Sequence, residues 1–549
     1  MRLKHSYRVI ALCVFALVSS MGAQEAVTPR HIGVPQDWST HHVVFSRDGL
    51  LQHPEILYRE PRVLHQVMQR WQAPNSDVFR GVSQASGLNN SSDHRDWNFP
   101  LVKGKVSPNM YPAKYSFDPT LPPSCANDYA VFGITAVGNV GTGGGQANLI
   151  GFNNLYSGPG PGLCGSGGPS VFFAYNVTTV AGGKIVTSPV ISEDGTKIAF
   201  VESVPGTTPQ AIFHVLTWTA NQGAITAAAV PTMTSATFSP TSDCTTSSPW
   251  VDYSADIAYV GSDNGILYKI TNVFKGTPAV DNTFPWPVHV SKNNRLSPPV
   301  QDSSRGILMV GSGNGSLYQI TIATGAAAPY PIGKAGAKSA GVLTAPAVDV
   351  SNGTTFAVSA NDGNSAVLVE VDTCCFSNAV KVRIGIGAAS GTAMSINEPA
   401  FDNQYFTDPN TGHIRLCGNN PNLALLDTSP WQYSFGFSAG RMNPATSSSQ
   451  QLLTSTAAQC TGWTEFFNPN INGGTDFFFF GLTQDCSGPG TSGCVVEQIG
   501  TSTVAKAPVN GGPSGIIVDN YSTALQASSI YLTAEKANTA YKFTQNGLN

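Results

Sequence analysis

Charge is scarce in this chain of 549 residues: 29 Lys and Arg and 33 Asp and Glu make 11% of it, where soluble proteins usually carry about a quarter. The balance of −4 provides no bulk attraction for nucleic acid or an anionic membrane, and both drop out as partners. Motifs of familiar chemistries are missing as well. There is no CxxC, no CxxCH and no His at zinc spacing from a Cys pair, which removes zinc-ribbon and covalent haem sites. No HExxH occurs, and no GxSxG accompanies a strand-to-helix elbow. The Gly-rich GTGGGQ at Gly141 lacks the Lys-Ser/Thr of a phosphate loop. No metal site is expected. After the first residues no apolar stretch approaches 18; Phe477 to Phe480 has the length of a strand, not of a membrane span.

Turn formers are plentiful instead. Gly (56) and Pro (37), with 41% hydrophobic residues, point to many turns around a large core, which excludes an all-helical protein and bulk disorder. At the start, Arg2, Lys4 and Arg8 precede the apolar run VIALCVFALV and the small residues Ser19 to Ala23. That is the layout of a secretory signal peptide over residues 1–23, cut after Ala23, so a secreted or periplasmic chain with no remaining span is expected. Nine cysteines follow the leader, an odd number, which leaves at least one unpaired. Cys486 with Cys494, flanking SGPGTSG, and Cys125 with Cys164 are the candidate bridges.

A repeat runs through the rest. SSPWVDYSADIAYVGSDNGILYKIT from Ser247 and LSPPVQDSSRGILMVGSGNGSLYQIT from Leu296 share Ser-Pro, an apolar strand, Val-Gly-Ser, Asn-Gly and Leu-Tyr-x-Ile-Thr. Looser copies start at Ile185, Leu343, Ile396, Phe466 and Pro513, and their marker prolines Pro189, Pro249, Pro298, Pro346, Pro399 and Pro469 recur at 60, 49, 48, 53 and 70 residues. Each copy holds three short apolar runs with room for a fourth. Asp263, Asn264 and Gly265, like Asn314 and Gly315, make hairpin turns because Asn and Gly tolerate positive φ. Four strands per repeat of about 50 residues with no helical periodicity specify an all-β propeller. With a further copy from Asp128, the count is eight blades, seven being the alternative. The last copy lacks its outer strand, and YPAKYSFD from Tyr111 is the expected donor that closes the ring.

Residues 24–105 read as a separate extension before a propeller over 106–549. His31 to Lys105 carries 15 charges in 75 residues, against 42 in the 444 that follow, and six of the nine remaining histidines: His31, His41, His42, His53, His65 and His94. Scattered His in a polar extension reads as solvated. PRVLHQVMQRW from Pro61 reads as a short amphipathic helix packing on the propeller through Val63, Val67, Met68 and Trp71.

The core Ser-Pro … Val-Gly-Ser-x-Asn-Gly-x-Leu-Tyr-x-Ile … Thr-Gly, complete from Ser297 to Gly325, resembles the repeat of bacterial propellers related to the pyrroloquinoline quinone (PQQ) enzymes. It is also similar to exported propellers of unassigned function. The enzyme branch of that resemblance implies PQQ and calcium in the axial channel, and in some members a vicinal disulfide such as Cys374–Cys375 could form. Here the two cysteines follow VLVEVD, toward the outside of a blade, where pairing with other cysteines or a tight turn is expected. The Trp that locks neighbouring blades in the quinone enzymes is not kept after Thr324 and Gly325.

The reading that follows is a non-enzymatic binding propeller without cofactor, presenting loops to a polysaccharide or to an envelope or extracellular protein; an axial-channel enzyme, such as a PQQ/calcium oxidoreductase, is the alternative. Loops leading into innermost strands would place Lys184, Asn293, Asn294, Arg295, Lys338 and Glu398 at the channel mouth. The adjoining hairpins would add Asp263, Asn264, Asn314 and Asp362.

Overall fold

The computed structural model describes residues 33–72, 94–117, 122–158, 162–239, 244–334, 341–387, 396–468, 474–519 and 526–545. The leader and Lys338 lie outside them. The chain forms eight antiparallel sheets in succession, built on residues 113–175, 184–239, 250–289, 300–331, 347–386, 400–451, 464–509 and 517–544. These are blades 1 to 8 of a propeller. The repeat maps onto them as expected, with Gly265 and Gly315 at φ of 90° and 89° in the hairpins between second and third strands.

The recurring letters have a physical cause. Beside the Ser-Pro step, Ser247, which directly precedes Ser248-Pro249, accepts through Oγ from the Gly261 amide (3.1 Å) and donates to the Ser297 carbonyl of the next blade (3.0 Å). Ser297 Oγ accepts from Gly311 N (2.8 Å), and Thr461 Oγ1 takes the same role for Gly481 N (2.8 Å). The glycine is required because the next blade sits where a side chain would be: a Cβ on Gly311 would lie 2.2 Å from the Val342 carbonyl oxygen, and one on Gly481 2.2 Å from Pro513 Cγ. The motif is thus a blade-to-blade joint.

Two expectations need correction. The strand that completes blade 8 is His94–Pro100, paired antiparallel with Thr539–Thr544, and not YPAKYSFD. Ala113–Ser116, within YPAKYSFD, is instead the innermost strand of blade 1. Both alternate in the manner of strands, but only His94–Pro100 carries Asp96, which meets the buried Lys542 Nζ of blade 8 at 2.5 Å, with Thr544 Oγ1 donating at 2.7 Å. The change of composition at 105/106 is therefore no break in the sheets, and Gly33–Asn549 form one compact unit.

The second correction concerns the rest of the charged segment. Val34–Gln36 pairs with Lys114–Ser116, extending blade 1 toward the axis, and Val43–Val44 lies parallel to Val348–Asp349 of blade 5. In an eight-membered ring those blades face each other, so residues 34–44 cross the axial channel. Trp38, Val43, Val44 and Phe45 are buried there. Short helices follow at Arg47–Gln52, capped by Ser46, and Ile56–Arg59, then the expected helix Pro61–Gln72, whose Val63 and Val67 are buried. His41, His42 and His65 lie inside the channel packing instead of in solvent; His53 is exposed.

The expected disulfides Cys125–Cys164 and Cys486–Cys494 are present, with Cys417–Cys460 besides, and Cys374 pairs with its neighbour Cys375 rather than with a distant cysteine. That last pair is exposed in the turn after Ser365–Asp372, on the outside of blade 5. Among the described residues, Cys244 takes part in no disulfide. Among the described residues no helix is long and apolar enough to cross a membrane.

Asp96→Ala leaves Lys542 buried without its carboxylate and should lower stability by about 3–5 kcal/mol in urea unfolding. The double substitution to Leu at 96 and Met at 542 should recover most of the loss.

Candidate functional site

The channel is held by two buried arginines of the Pro61–Gln72 helix. Arg62 donates to Glu60 Oε1 (2.7 Å), Ser39 Oγ (2.7 Å) and the Val251 carbonyl (2.8 Å), and its guanidinium lies 3.9 Å from the centroid of Trp250 in blade 3. Arg70, eight residues on, donates to Glu465 of blade 7 (3.0 and 2.5 Å) and Asn403 Oδ1 of blade 6 (2.7 Å), over the ring of Phe406 at 3.8 Å. A buried guanidinium is tolerable when most of its donors are met: Arg62 is met by Glu60 and Ser39 of its own segment and by blade 3, and the two terminal nitrogens of Arg70 by blades 6 and 7, its Nε alone lacking a partner.

At the channel mouth on the side of the strand 2–3 hairpins, Tyr111 OH donates to Glu398 Oε1, and His42 Nε2 lies 4.0 Å from the same oxygen. His41 stacks on Tyr111 at 5.8 Å. Burial pushes the Glu398 carboxyl up to about 7 and the His41 and His42 imidazoles down to about 4 and about 3. At neutral pH the histidines are uncharged packing groups. A cavity of about 70 Å³ remains in this packing, beside His41, His65, Arg70 and Glu465, with room for a few waters.

The residues proposed from sequence part into two groups. Asp263, Asn264, Asn293, Asn294, Arg295 and Asn314 come together on one rim across blades 3 and 4. Asn293 N donates to the Asn264 carbonyl (3.0 Å), and Gly313 N to the Arg295 carbonyl (2.8 Å). Asn293 and Arg295 are exposed and the other four half-buried. Asp263 lies close to the Cys244 thiol (3.6 Å), and burial raises its carboxyl pKa. Asp362 continues the rim on blade 5, paired with Lys381 Nζ (2.7 Å). Lys184 is apart, at the start of the innermost strand of blade 2 opposite Ser203. Glu398 is only 3% exposed, so it belongs to the channel packing and not to the loop surface. Sequence reasoning missed Arg62, Arg70, Tyr111 and Glu465, whose partners, apart from Glu60 beside Arg62, lie far away in the chain. The one local signal, the helix from Pro61, was legible as a packing element only.

No protein-family model matches the chain, and no curated protein sequence does. Among solved structures it is similar to BamB from Moraxella catarrhalis (11% identity over 82% of this chain and all of that one, TM-score 0.42). It is also similar to the Dos1 propeller (12%, 82% and 95%, TM-score 0.46) and to the computationally designed Ika8 protein (10%, 82% and 100%, TM-score 0.43). The propeller assignment itself stands on the eight hydrogen-bonded sheets.

The channel groups predict a pH dependence. Glu398 titrates near 7 in the fold against an ordinary 4.5, so the unfolded chain releases its proton first and the fold loses stability as pH rises from about 4.5 to 7. The histidines act oppositely, costing stability as pH falls below 6.5 toward about 4 and 3. Glu398→Gln removes the first effect alone. Its advantage over the parent in chemical unfolding should grow across pH 4.5–7 to roughly 3 kcal/mol and level off above that.

Proposed function

We propose that the protein is a non-enzymatic binding propeller, acting outside the cytoplasm, that presents the rim over blades 3 to 5 to a polysaccharide or to an envelope or extracellular protein. The observation that carries this reading is the filling of the axial channel by residues 34–72. Ligand pockets run to about 300–1,000 Å³, and the 70 Å³ left near Arg70 is well below that.

The PQQ and calcium alternative needs carboxylate and amide oxygens open to the axis. Here Glu398 is closed off by Tyr111 and His42, and Glu465 by Arg70. Those residues do not fit the cofactor. Ligand selection then falls to the loops, where Asn264, Asn293, Asn294 and Asn314 supply amides and Asp263, Arg295 and Asp362 charges of both signs, a mixture suited to hydroxyl-rich or polar protein surfaces. Four disulfides and the leader-like start support an oxidising compartment.

Calcium with PQQ at high concentration should leave the melting temperature of the mature protein unchanged; a shift that requires both components would overturn the reading. Asn293→Ala combined with Arg295→Ala should abolish binding of the glycan or protein that the rim takes, at a cost of at most about 1 kcal/mol in stability, since Asn293 is at a φ of 55° that alanine adopts less readily.

A further inference from the structure

Blade 6 carries, on the side toward blade 7, a polar stripe that the packing of the two sheets does not use up. Its ladder sets Arg415 opposite Ser434 and Ser434 opposite Ser448; two residues along, Cys417 faces Gln432 and Gln432 faces Gln450. Residues of one cross-strand row, and of rows two apart, share a face. From the other side Phe478 of blade 7 lies under the Arg415 guanidinium, 4.9 Å from centroid to carbon. Between the blades is a cavity of about 310 Å³ lined by Arg415, Gln432, Ser434, Gln450, Trp463 and Thr501, among others. Gln432 is fixed in its wall, donating to Gln450 Oε1 (2.9 Å) and the Thr501 carbonyl (3.0 Å) and accepting from Gln498 Nε2 (2.6 Å).

Arg415 is 9% exposed, and its Nε is buried with no hydrogen-bond partner. Arg70 Nε is also unpartnered, but Arg70 holds Glu465 and Asn403 through its other two nitrogens and Arg62 holds Glu60, whereas Arg415 forms no ion pair among the described residues. The two acids that act on it are committed elsewhere. Asp402 holds His413 Nδ1 (2.8 Å) and caps the Asn403–Thr407 helix at Tyr405 N (3.0 Å). Asp476 accepts from Asn403 N (2.5 Å), and burial and neighbouring Glu465 raise its carboxyl pKa well above the usual range. A buried guanidinium with open donors is costly, and an apolar side chain of similar length would pack there more favourably. What the site lacks is an oxyanion, and the cavity in front of Arg415 can admit one.

We propose that the cleft between blades 6 and 7 binds the carboxylate of an acidic sugar, with Arg415 as its cationic partner. The guanidinium offers the planar fork that matches a carboxylate. Ser434, Ser448 and Gln450 offer hydroxyls and an amide to ring hydroxyls, and Trp463 an aromatic wall. The volume is at the lower end for ligand pockets, about 300–1,000 Å³, so one sugar unit is accommodated. The cleft is separate from the rim on blades 3 to 5 and does not depend on the rim's role.

The test is thermal unfolding and tryptophan fluorescence titration of the mature chain with glucuronate, glucose or sulfate at matched ionic strength. Glucuronate should raise the melting temperature and change the fluorescence, and glucose should do neither. Arg415→Met should melt at the same or a higher temperature without ligand and bind glucuronate at least tenfold more weakly. Ser448→Trp, on the exposed outer strand, should block binding while leaving the unliganded melting temperature as it is. A several-degree loss of stability in Arg415→Met, with glucuronate still bound or with the parent protein unresponsive, would overturn the proposal. A response to sulfate equal to that for glucuronate would overturn the sugar assignment.

Discussion

A ring of eight sheets has a hole along its axis, and the innermost strands bordering it must be covered. This chain covers them with its own residues 34–72, and the rest of the structure depends on that contact. The segment is anchored on alternate blades: Val34–Gln36 on blade 1, Arg62 over Trp250 on blade 3, Val43–Val44 on blade 5 and Arg70 on Glu465 of blade 7. Anchors a quarter turn apart brace the ring across its middle. Beyond them, His94–Pro100 closes its circumference. The N-terminal part of the chain thereby both fills the axis and supplies the outer strand of the last blade.

Filling the axis has a chemical consequence. Groups that could serve a reaction in an open channel are spent on packing: His41 and His42 are neutral, the Glu398 carboxyl is raised by burial, and the acids beside the arginines are paired. Perturbed acids and imidazoles in a cleft often mark catalysis, yet here the perturbation comes from desolvation in a core. The two proposed recognition surfaces, the loop rim and the interblade cleft at Arg415, lie away from the axis.

The blades were legible in the sequence because the repeat letters report a local joint, Ser297 Oγ on Gly311 N with the next blade against the glycine. The rim residues were legible for a similar reason: Asn264–Gly265 and Asn314–Gly315 are turn chemistry read within four residues. What was not legible is non-local. HRDWNFP and YPAKYSFD both alternate as strands, and the choice between them rests on Asp96 meeting Lys542, 446 residues away. The charged extension looked solvated because its charges are visible in sequence while their partners are not; Arg62 is neutralised in part by Glu60 nearby, but Arg70 needs Glu465, 395 residues on. Arg415 shows the converse, a charge that looks ordinary on a strand and is set apart only by the partners it does not have.

The N-terminal segment is a built-in part of the ring and not a tail. Its amides and carbonyls join the blade ladders, with Val348 N donating to the His42 carbonyl (2.8 Å) and Val350 N to that of Val44 (3.1 Å). Hydrogen exchange on the mature protein reads this directly. Peptides covering residues 36–46 should exchange as slowly as those covering the inner strands Ala113–Ser116 and Ala347–Asp349, opening only with the propeller itself. Exchange of 36–46 within seconds, while the inner strands stay protected, would contradict the account.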